Sequence, residues 1–426
     1  MLDFLLNHTP LLYLTQSVWR DEAFSVFIAN NSFSEIIRLT SGDFNPPLYY
    51  FLLHFWLTLF GTDEIVLRLL SWVAFLGLCA LAYVFTHAVY KNKTLSLIAL
   101  LLTFTNPMLV YFAFELRMYS LLAFFATASM YFLYTDKPIP YIIFSAAGLY
   151  TQPFMAFVFI SQALWALATK QFRKWFPYWI CIGILFIPWA PTLLTQFSHS
   201  GPMWMWPIKP ELIFSVLGNM YVGYEGTPAH LWGPISIGSL LIITSTIILL
   251  LHKKLRSFNL LIASWVFTPT ILVLLISCIK PIYVHRYLIF VTVGELFILI
   301  ALLGMFKKRA LIFSGVLLVF ISLALNIFMT PFHRKVDFAQ TFAEIEEIKK
   351  PEDIILAKNP LSYYESHYYT DTKNSVFLYN PDALTPPRYV GNIGMPESRW
   401  KTEYPRAPHR AFLIDADGSY TIGTTL

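Results

Sequence analysis

Residues 65–90 read IVLRLLSWVAFLGLCALAYVFTHAVY. Its only acidic or basic residues are Arg68 and His87, and the run is longer than the roughly 20 residues that a helix needs to cross a bilayer. Similar runs recur along most of the chain and predict about ten spans. They lie at 65–90, 95–112, 118–134, 139–151, 153–169, 176–195, 231–251, 258–279, 287–306 and 310–330. The sequence therefore predicts an all-α polytopic membrane protein.

The composition of the whole chain supports this class. Of its 426 residues, 57% are hydrophobic and 13% are charged, whereas soluble domains are about a quarter charged. The net charge of +5 comes from basic residues that cluster in short connections between apolar runs, so it indicates no nucleic-acid partner. Cys79, Cys181 and Cys278 all lie inside apolar runs. They therefore predict neither a disulfide framework nor a metal site.

The region before these spans is mixed in character. Residues 1–64 are predicted to form an N-terminal segment and a first extracytoplasmic loop. Apolar residues at helical spacing predict an interfacial helix at 24–39, and a second helix is predicted at 48–60. Residues 1–18 are too short and too polar for a span. We therefore expect a first transmembrane helix to be missing from this sequence.

The character of the chain changes again after residue 330, where the apolar runs end and charge rises. Residues 65–330 are predicted to form the transmembrane domain, and residues 331–426 a small C-terminal extracytoplasmic α/β domain. An amphipathic helix is predicted at 337–349. Short strands are predicted at 353–357, 375–379 and 411–415.

The connections between spans predict which side of the membrane each one faces. Every second connection is basic, and basic connections face the cytoplasm. The residues concerned are Lys91, Lys93, Lys137, Lys170, Arg173, Lys174, His252, Lys253, Lys254, Arg256, Lys307, Lys308 and Arg309. The other connections are therefore predicted to lie on the extracytoplasmic side of the cell's inner (plasma) membrane. Residues 139–169, between two basic connections, form either two short spans or one re-entrant hairpin.

Two adjacent acids stand at the edge of this apolar protein, in the stretch Trp-Arg-Asp-Glu-Ala-Phe-Ser at 19–25. A carboxylate near a membrane surface can take the proton of an acceptor hydroxyl or bind a divalent cation. Asp21 and Glu22 are therefore candidate catalytic residues, although adjacent acids also occur on solvated faces and at helix N-termini. Asp43 and Asn45 are candidate substrate-binding residues, although a turn that opens a helix explains them locally.

A third segment combines an acid, an arginine and a tyrosine. Glu115 and Tyr119 are four residues apart, which predicts that they share a helix face, with Arg117 pointing away. The planar guanidinium group of Arg117 suits a lipid phosphate. An intrahelical network, or an arginine that extends to the interface at the end of a span, explains the same residues equally well.

A fourth segment lies between the spans at 258–279 and 287–306. It carries Lys280, Tyr283, His285, Arg286 and Tyr287. These residues are either plain membrane anchors or a clamp for a phosphate or pyrophosphate.

Two tryptophans mark the long loop between the spans at 176–195 and 231–251. Trp204 and Trp206 are predicted to be interface anchors. The alternative is that they cover the site as a lid or stack on a sugar ring.

Four motifs in this order resemble the polyprenyl-phosphate-sugar-dependent membrane glycosyltransferases. They are most similar to bacterial members of glycosyltransferase family 39, relatives of the protein O-mannosyltransferases and of the lipid A aminoarabinose transferase. The resemblance covers about residues 18–330. Its motifs are Trp19-x-Asp21-Glu22-Ala23, Asp43-x-Asn45-Pro46-Pro47-Leu48-Tyr49-Tyr50, Glu115-x-Arg117-Met118-Tyr119-Ser120-Leu121 and Ile282-Tyr283-Val284-x-Arg286-Tyr287-Leu288.

The resemblance implies the C-superfamily glycosyltransferase fold and a donor sugar linked through phosphate to a long polyisoprenoid. It implies that Asp21 is tied to catalysis and that Asp43 is the second aspartate of the first outside loop. It also implies that Arg117 and the cations around Arg286 contact the donor phosphate. The sequence departs from the pattern at Asn45, where many relatives carry histidine, which weakens a metal or proton role there.

The expected reaction moves the sugar to an acceptor hydroxyl or phosphate on the extracytoplasmic face, with inversion at C1. The acceptor, whether protein, lipid or envelope polymer, is not fixed by the sequence, and neither is the donor sugar nor a requirement for a divalent cation. A transporter or flippase of polyprenyl-linked sugars is the main alternative, and a structural or assembly protein is a third. A transporter would need polar residues along a path through the spans, and these are sparse.

Overall fold

The computed structural model describes residues 2–198, 205, 207–223 and 227–425. Trp204 and Trp206, the predicted anchors or lid, lie outside the described residues. The chain divides into two compact units. The first contains residues 1–13, 68–191 and 205–333, and the second contains residues 14–67, 192–204 and 334–426.

Helices dominate the described chain. The first ten are α1 (Leu2–His8), α2 (Leu11–Thr15), α3 (Arg20–Ala29), α4 (Phe33–Gly42), α5 (Leu48–Phe60), α6 (Glu64–Tyr90), α7 (Lys93–Thr105), α8 (Pro107–Ala113), α9 (Tyr119–Tyr134) and α10 (Pro138–Thr151). They are followed by α11 (Met155–Ala168), α12 (Phe172–Phe186), α13 (Ala190–Ser198), α14 (Pro210–Val222), α15 (Trp232–Leu251), α16 (Arg256–Ser277), α17 (Ile289–Leu303), α18 (Lys308–Met329), α19 (Phe338–Ile348) and α20 (Tyr363–Tyr369). Short 3-10 helices are Ala229–Leu231, His285–Leu288, Thr330–His333, Lys373–Ser375, Arg388–Val390, Asn392–Gly394 and Glu397–Arg399.

Several of these helices are suited to crossing a membrane. Among the described residues, five helical segments are long and apolar enough, and they contain α6, α15, α16, α17 and α18. The number rises to seven if each of two bent helix pairs is one span. All ten predicted apolar runs coincide with helical structure, so the predicted all-α membrane architecture is confirmed. The number of crossings stays a prediction.

The predicted span at 95–112 is broken into two helices. The axes of α7 and α8 differ by 61°. Asn106 stands at the break, where its side chain accepts a hydrogen bond from the Leu109 N–H (3.1 Å) and donates one to the Tyr221 carbonyl (3.1 Å). Pro107 follows at the first position of α8, where its fixed φ and missing N–H are tolerated. The run at 95–112 is therefore two helices, because Asn106 ends the first and caps the second. That the pair forms one bent span stays a prediction.

Residues 139–169 form two short helices. Each of α10 and α11 has 14 residues and is about 21 Å long at 1.5 Å per residue. That is less than the roughly 30 Å of a hydrocarbon core. The Tyr141 hydroxyl donates to Gln162 Oε1 at 2.6 Å and joins the two helices. Lys174 Nζ lies 2.6 Å from Asp136 Oδ2, so the two connections that flank this hairpin meet at one end.

In the second unit, the predicted interfacial helix at 24–39 is two helices, α3 and α4. The Asn31 side chain donates to the Phe27 carbonyl at 2.7 Å, which satisfies one of the last carbonyls of α3. Ser32 then has the extended backbone of an N-cap before α4. The single-helix prediction was wrong because the apolar spacing continues through a capped break. Helix α5 begins after Pro47 and ends at Gly61, as predicted.

The C-terminal part of the second unit contains a five-stranded sheet. Its strands are β1 (Ile354–Ala357), β2 (Val376–Tyr379), β3 (Trp400–Lys401), β4 (Ala411–Ile414) and β5 (Tyr420–Gly423). Their order is β3-β2-β1-β4-β5, parallel except for the antiparallel β4–β5 pair. The three predicted strands and the predicted amphipathic helix, now α19, are confirmed. Leu356, Ala411 and Leu413 form a buried cluster on the sheet.

Candidate functional site

The first turn of α3 carries the two candidate catalytic acids. Asp21 is half-buried, and its Oδ1 accepts a hydrogen bond from Arg20 Nε at 3.1 Å. The Ser25 hydroxyl donates to the Asp21 carbonyl at 2.9 Å. Two acids at this position are favoured because the unpaired N–H groups give a helix N-terminus a partial positive charge. The local sequence thus explains both the helix start and its acidity.

Glu22 is fully buried and paired. Its Oε2 lies 2.9 Å from Lys335 Nζ, and the side chains of Glu22 and Lys335 are 0% and 7% exposed. The same oxygen accepts a hydrogen bond from the Trp19 N–H at 3.3 Å, which satisfies a backbone donor ahead of α3. Glu22 therefore holds the start of the helix that presents Asp21.

Trp19 lies next to both cations of this cluster. The guanidinium carbon of Arg20 and the ammonium nitrogen of Lys335 are each 5.5 Å from its ring centroid. A cation at this distance from an indole face is attracted by the ring quadrupole.

Asp43 and Asn45 lie in the connection between α4 and α5. Asn45 Nδ2 donates to Asp43 Oδ2 at 3.3 Å, and Asp43 is buried. Arg388 holds this turn, with its Nε donating to the Gly42 carbonyl (2.8 Å) and a terminal nitrogen donating to the Asp43 carbonyl (3.2 Å). Tyr364, on α20, is close enough for the Asp43 charge to raise the pKa of its hydroxyl further, beyond the larger increase caused by burial.

The predicted helix face shared by Glu115 and Tyr119 is not observed. Residues 114–118 form a bend between α8 and α9, and α9 begins only at Tyr119. The Arg117 N–H donates to the Glu115 carbonyl at 2.8 Å, and the Ser71 hydroxyl donates to the same carbonyl at 2.6 Å. The prediction was wrong because the backbone turns here, and an i,i+4 pair requires continuous helix.

The Tyr119 ring nonetheless lies close to two arginines. The guanidinium carbons of Arg117 and Arg286 lie 5.9 and 5.8 Å from its ring centroid. All three side chains are at least nine-tenths buried. Arg286 also lies 5.8 Å from the ring of Tyr287, which is stacked against Tyr119 at 6.3 Å. The first unit thus brings together two predicted segments that are far apart in the sequence.

The rest of the fourth segment surrounds this group. Tyr283 and His285 are buried, with ring centroids 4.9 Å apart. Lys280 lies beyond the end of α16 and is half-buried. Tyr119, Arg117, Arg286 and Tyr287 are named here the tyrosine–arginine group. It places two buried guanidinium groups close to two tyrosine rings in the first unit.

The carboxylates do not form a recognisable metal site. Among the described residues, no group of three histidine, cysteine, aspartate or glutamate side chains is arranged to hold a metal ion. Asp21 and Glu22 instead face Arg20 and Lys335.

Three further residues were missed in the sequence. Lys335 and Glu365 lie in the C-terminal region, and nothing in their local sequence distinguishes them. Glu295 is a lone acid in the apolar run at 287–306, and an ionisable residue in a span is by default a functional candidate. It is fully buried in α17, and neither carboxyl oxygen has a hydrogen-bond partner in the part of the chain that the structure describes.

Solved structures with the same fold were found. The crystal structure of ArnT from Cupriavidus metallidurans in the apo state aligns with a TM-score of 0.62 and 11% identity. The structure of the same protein bound to undecaprenyl phosphate aligns with a TM-score of 0.60 and 13% identity. Both alignments cover 95% of this chain and 91% of ArnT. No protein-family model and no curated protein sequence matches the chain. The chain therefore has the same fold as ArnT, as the sequence predicted.

Proposed function

We propose that this protein is an integral membrane glycosyltransferase that uses a polyprenyl-phosphate-linked sugar as donor. The acceptor is a hydroxyl or phosphate group of a protein, a lipid or an envelope polymer. The reaction takes place on the extracytoplasmic face of the plasma membrane and inverts the sugar at C1. The fold alone does not identify this reaction, because one fold supports many functions.

The observation that carries the proposal is the tyrosine–arginine group. Arg117 and Arg286 are both buried and are more than 150 residues apart in the sequence. The guanidinium carbons of both nevertheless lie within 6 Å of the Tyr119 ring centroid. Guanidinium groups bind phosphate through two parallel N–H donors. Two guanidinium groups held close to one tyrosine ring therefore suit a single phosphate group. In a membrane protein, we propose that this phosphate belongs to a lipid.

The ArnT neighbour supports the same class of donor. One of its crystal structures is bound to undecaprenyl phosphate, which is a polyprenyl chain with one phosphate. We therefore assign undecaprenyl phosphate as the first lipid to test, and the sugar that it carries stays open.

The proposed chemistry is a single displacement. The acceptor oxygen attacks C1 of the sugar while the bond from C1 to the phosphate oxygen breaks. The phosphate leaves with the bonding electron pair, and Arg117 and Arg286 stabilise the charge that grows on it. Asp21 takes the proton of the acceptor hydroxyl. Glu22 does not need to react, because its contacts to Lys335 and to the Trp19 N–H support the helix that carries Asp21.

The first experiment measures lipid binding by the purified full-length protein. Undecaprenyl phosphate should bind to the wild type, and Arg117→Ala and Arg286→Ala should each weaken binding at least tenfold, since a charge-assisted hydrogen bond contributes about 1.5–3 kcal/mol. Arg309→Ala is the matched control, because Arg309 is an exposed cation of the same unit. Equal affinity in all four proteins would contradict the proposed donor site.

The second experiment measures transfer in liposomes. The donors are undecaprenyl phosphate hexoses and pentoses labelled in the sugar, and the acceptors are separate envelope lipid, polymer and protein fractions. The wild type should release undecaprenyl phosphate and label one fraction. Asp21→Asn should abolish this while lipid binding and thermal stability are kept. Transfer by Asp21→Asn at the wild-type rate would remove Asp21 from the proposed role.

Glu295 gives the transporter hypothesis one specific observation in its favour. A buried acid in a span is typical of proton-coupled transport, and the nearby Tyr221 hydroxyl is hydrogen bonded to Ser322 inside the same unit. A transporter would move labelled donor from one leaflet to the other without releasing undecaprenyl phosphate, and Glu295→Gln would stop that movement. The glycosyltransferase releases undecaprenyl phosphate, and Glu295→Gln should leave this release measurable.

The orientation is testable by labelling. Single cysteines introduced in place of Glu347, in the C-terminal region, and of Lys253, in a basic connection, should react with a membrane-impermeant maleimide from opposite sides. Reaction of both from the same side would overturn the proposed extracytoplasmic location.

A further inference from the structure

Helix α20 contributes a third carboxyl group to the start of α3. The two helices pack against each other, and Glu365 lies in their contact with 3% of its surface exposed. The backbone N–H of Arg20, the first residue of α3, is hydrogen bonded to the Glu365 carboxyl group. Its other oxygen, Oε2, has no hydrogen-bond partner among the residues that the structure describes.

Two of the three acids at the start of α3 are paired with a cation. Asp21 Oδ1 lies 3.1 Å from Arg20 Nε, and Glu22 Oε2 lies 2.9 Å from Lys335 Nζ. The third acid, Glu365, is buried close enough to Asp21 for the two charges to interact. An ionised Glu365 would add a further negative charge at a buried position near Asp21, which is unfavourable.

The pKa of Glu365 agrees with an uncharged carboxyl group. This pKa is raised to about 8, mainly by burial and in smaller part by the Asp21 charge, against a lowering by hydrogen bonds from the Glu365 and Arg20 backbone N–H groups and by the Arg20 charge. Arg20 and Asp21 are the charged groups that face Glu365 from α3. Of the other elements packed against α20, α19 carries Glu344 and Glu347, which are exposed, and Glu346, which is paired with Lys349 at 2.7 Å. Strands β1 and β2 carry no acid or base other than Tyr379. Glu365 is therefore mostly protonated at neutral pH.

We propose that Glu365, in its uncharged form, is a positioning residue for Asp21. Its carbonyl oxygen accepts the hydrogen bond from the Arg20 N–H. Because the carboxyl group is uncharged, it does not compete with Asp21 for the Arg20 guanidinium group. Loss of the Glu365 proton would create a second carboxylate that competes for Arg20 and repels Asp21. This inference rests on the proposed function, in which Asp21 acts on the acceptor.

The kinetic test is a pH profile of sugar transfer in the liposome assay. In the wild type, kcat/KM should fall about tenfold for each pH unit above the ionisation of Glu365, as for a single essential proton. Glu365→Gln keeps the oxygen acceptor and cannot ionise, so this alkaline fall should disappear. Glu365→Leu removes the acceptor and should lower transfer at every pH, and Glu347→Gln, an exposed acid on α19, should retain the wild-type profile. An unchanged alkaline fall in Glu365→Gln would overturn the proposal.

A spectroscopic test does not depend on transfer. Infrared difference spectra between the wild type and Glu365→Gln should contain the C=O band of a protonated carboxylic acid at neutral pH, and the band should titrate away in the alkaline range. Asp21→Asn removes a neighbouring charge, so it should move that titration to lower pH. If the wild type transfers no sugar but this coupling is observed, the proposed function would be refuted while the electrostatic coupling of Glu365 to Asp21 would still be supported. Absence of the band, or a titration unaffected by Asp21→Asn, would refute the positioning role.

Discussion

The ammonium group of Lys335 lies 2.9 Å from Oε2 of Glu22, and both side chains are buried, although 313 residues separate them in the sequence. This ion pair joins the segment that carries Asp21 to the chain that follows α18, within one unit. Because Glu22 also accepts the Trp19 N–H, the pair fixes the residue next to Asp21 from two directions. The contact is therefore a structural support for the proposed catalytic acid.

Removal of one partner of this pair should destabilise the second unit. Lys335→Met removes the cation that faces a fully buried Glu22, and breaking a buried ion pair in this way costs about 3–5 kcal/mol. The measurement is thermal unfolding of the purified full-length protein. The double variant Glu22→Met with Lys335→Met should recover much of the loss, because two apolar side chains leave no buried charge.

An exposed ion pair provides the control for this experiment. Lys358 and Asp415 lie 2.5 Å apart, and their side chains are 57% and 33% exposed. Lys358→Met should leave the unfolding temperature close to that of the wild type. A loss equal to that of Lys335→Met would mean that burial is not the reason for the predicted effect.

Tyr119 should be required for lipid phosphate binding through its ring. Tyr119→Leu removes the aromatic ring whose centroid lies within 6 Å of the guanidinium carbons of both Arg117 and Arg286. A desolvated cation–π contact contributes up to about 2 kcal/mol. We expect binding of undecaprenyl phosphate to weaken about tenfold or more. Tyr119→Phe keeps the ring and should keep most of the affinity. Equal losses in the two variants would assign the effect to the hydroxyl group instead.

The sequence predicted the helices and strands well because their signals are local. Apolar runs such as 65–90 and the short strand at 411–415 are visible as continuous hydrophobic stretches. The connection between the runs at 95–112 and 118–134 was predicted, but the helix face shared by Glu115 and Tyr119 was not found, since residues 114–118 bend and the Ser71 hydroxyl reaches the Glu115 carbonyl from α6. A contact of this kind leaves no mark in the sequence near residue 115.

The sequence identified some residues of the candidate site and missed others, again because only local signals are visible in it. Asp21 and Arg117 stand out as charges among apolar residues, whereas Lys335 and Glu365 lie in a region where charges are ordinary. Their importance comes from burial against α3, which only tertiary structure creates. Glu295 could have been found, since it is isolated in an apolar run.

Acid should weaken the sheet of the C-terminal part through Asp353. Burial raises the pKa of its carboxyl group, but hydrogen bonds from Arg410 and from the Lys350 N–H, with the Arg410 charge, outweigh burial and leave the pKa below its ordinary value of 3.8. A lowered pKa means that the folded state binds fewer protons than the unfolded chain below that value. The stabilisation is therefore complete above about pH 4 and is lost as pH falls through the folded pKa.

The measurement for Asp353 is unfolding by denaturant between neutral and strongly acidic pH. Asp353→Asn should be less stable than the wild type at neutral pH. The part of the stability loss in acid that comes from protonation of Asp353 should be absent in this variant. Asp382→Asn, at an exposed position, is the control and should follow the wild type. If the stability of Asp353→Asn depends on acid pH as that of the wild type does, other carboxylates cause the loss of stability in acid.

Alkali should weaken the second unit through Glu365, in a pH range that does not overlap with that of Asp353. The unfolded chain ionises this group near its ordinary value of 4.5, whereas burial raises the pKa to about 8 in the folded state. Between these values the folded state binds one more proton, so the free energy of unfolding falls as pH rises, by at most about 1.4 kcal/mol per pH unit. The stability is complete below the unfolded value and is lost as pH passes through the folded pKa. The unfolding temperature of the wild type should therefore decline from about pH 5 to pH 8 more steeply than that of Glu365→Gln. Parallel curves for the two proteins would show that Glu365 is ionised in the folded state, and the uncharged form proposed for Glu365 would then be wrong.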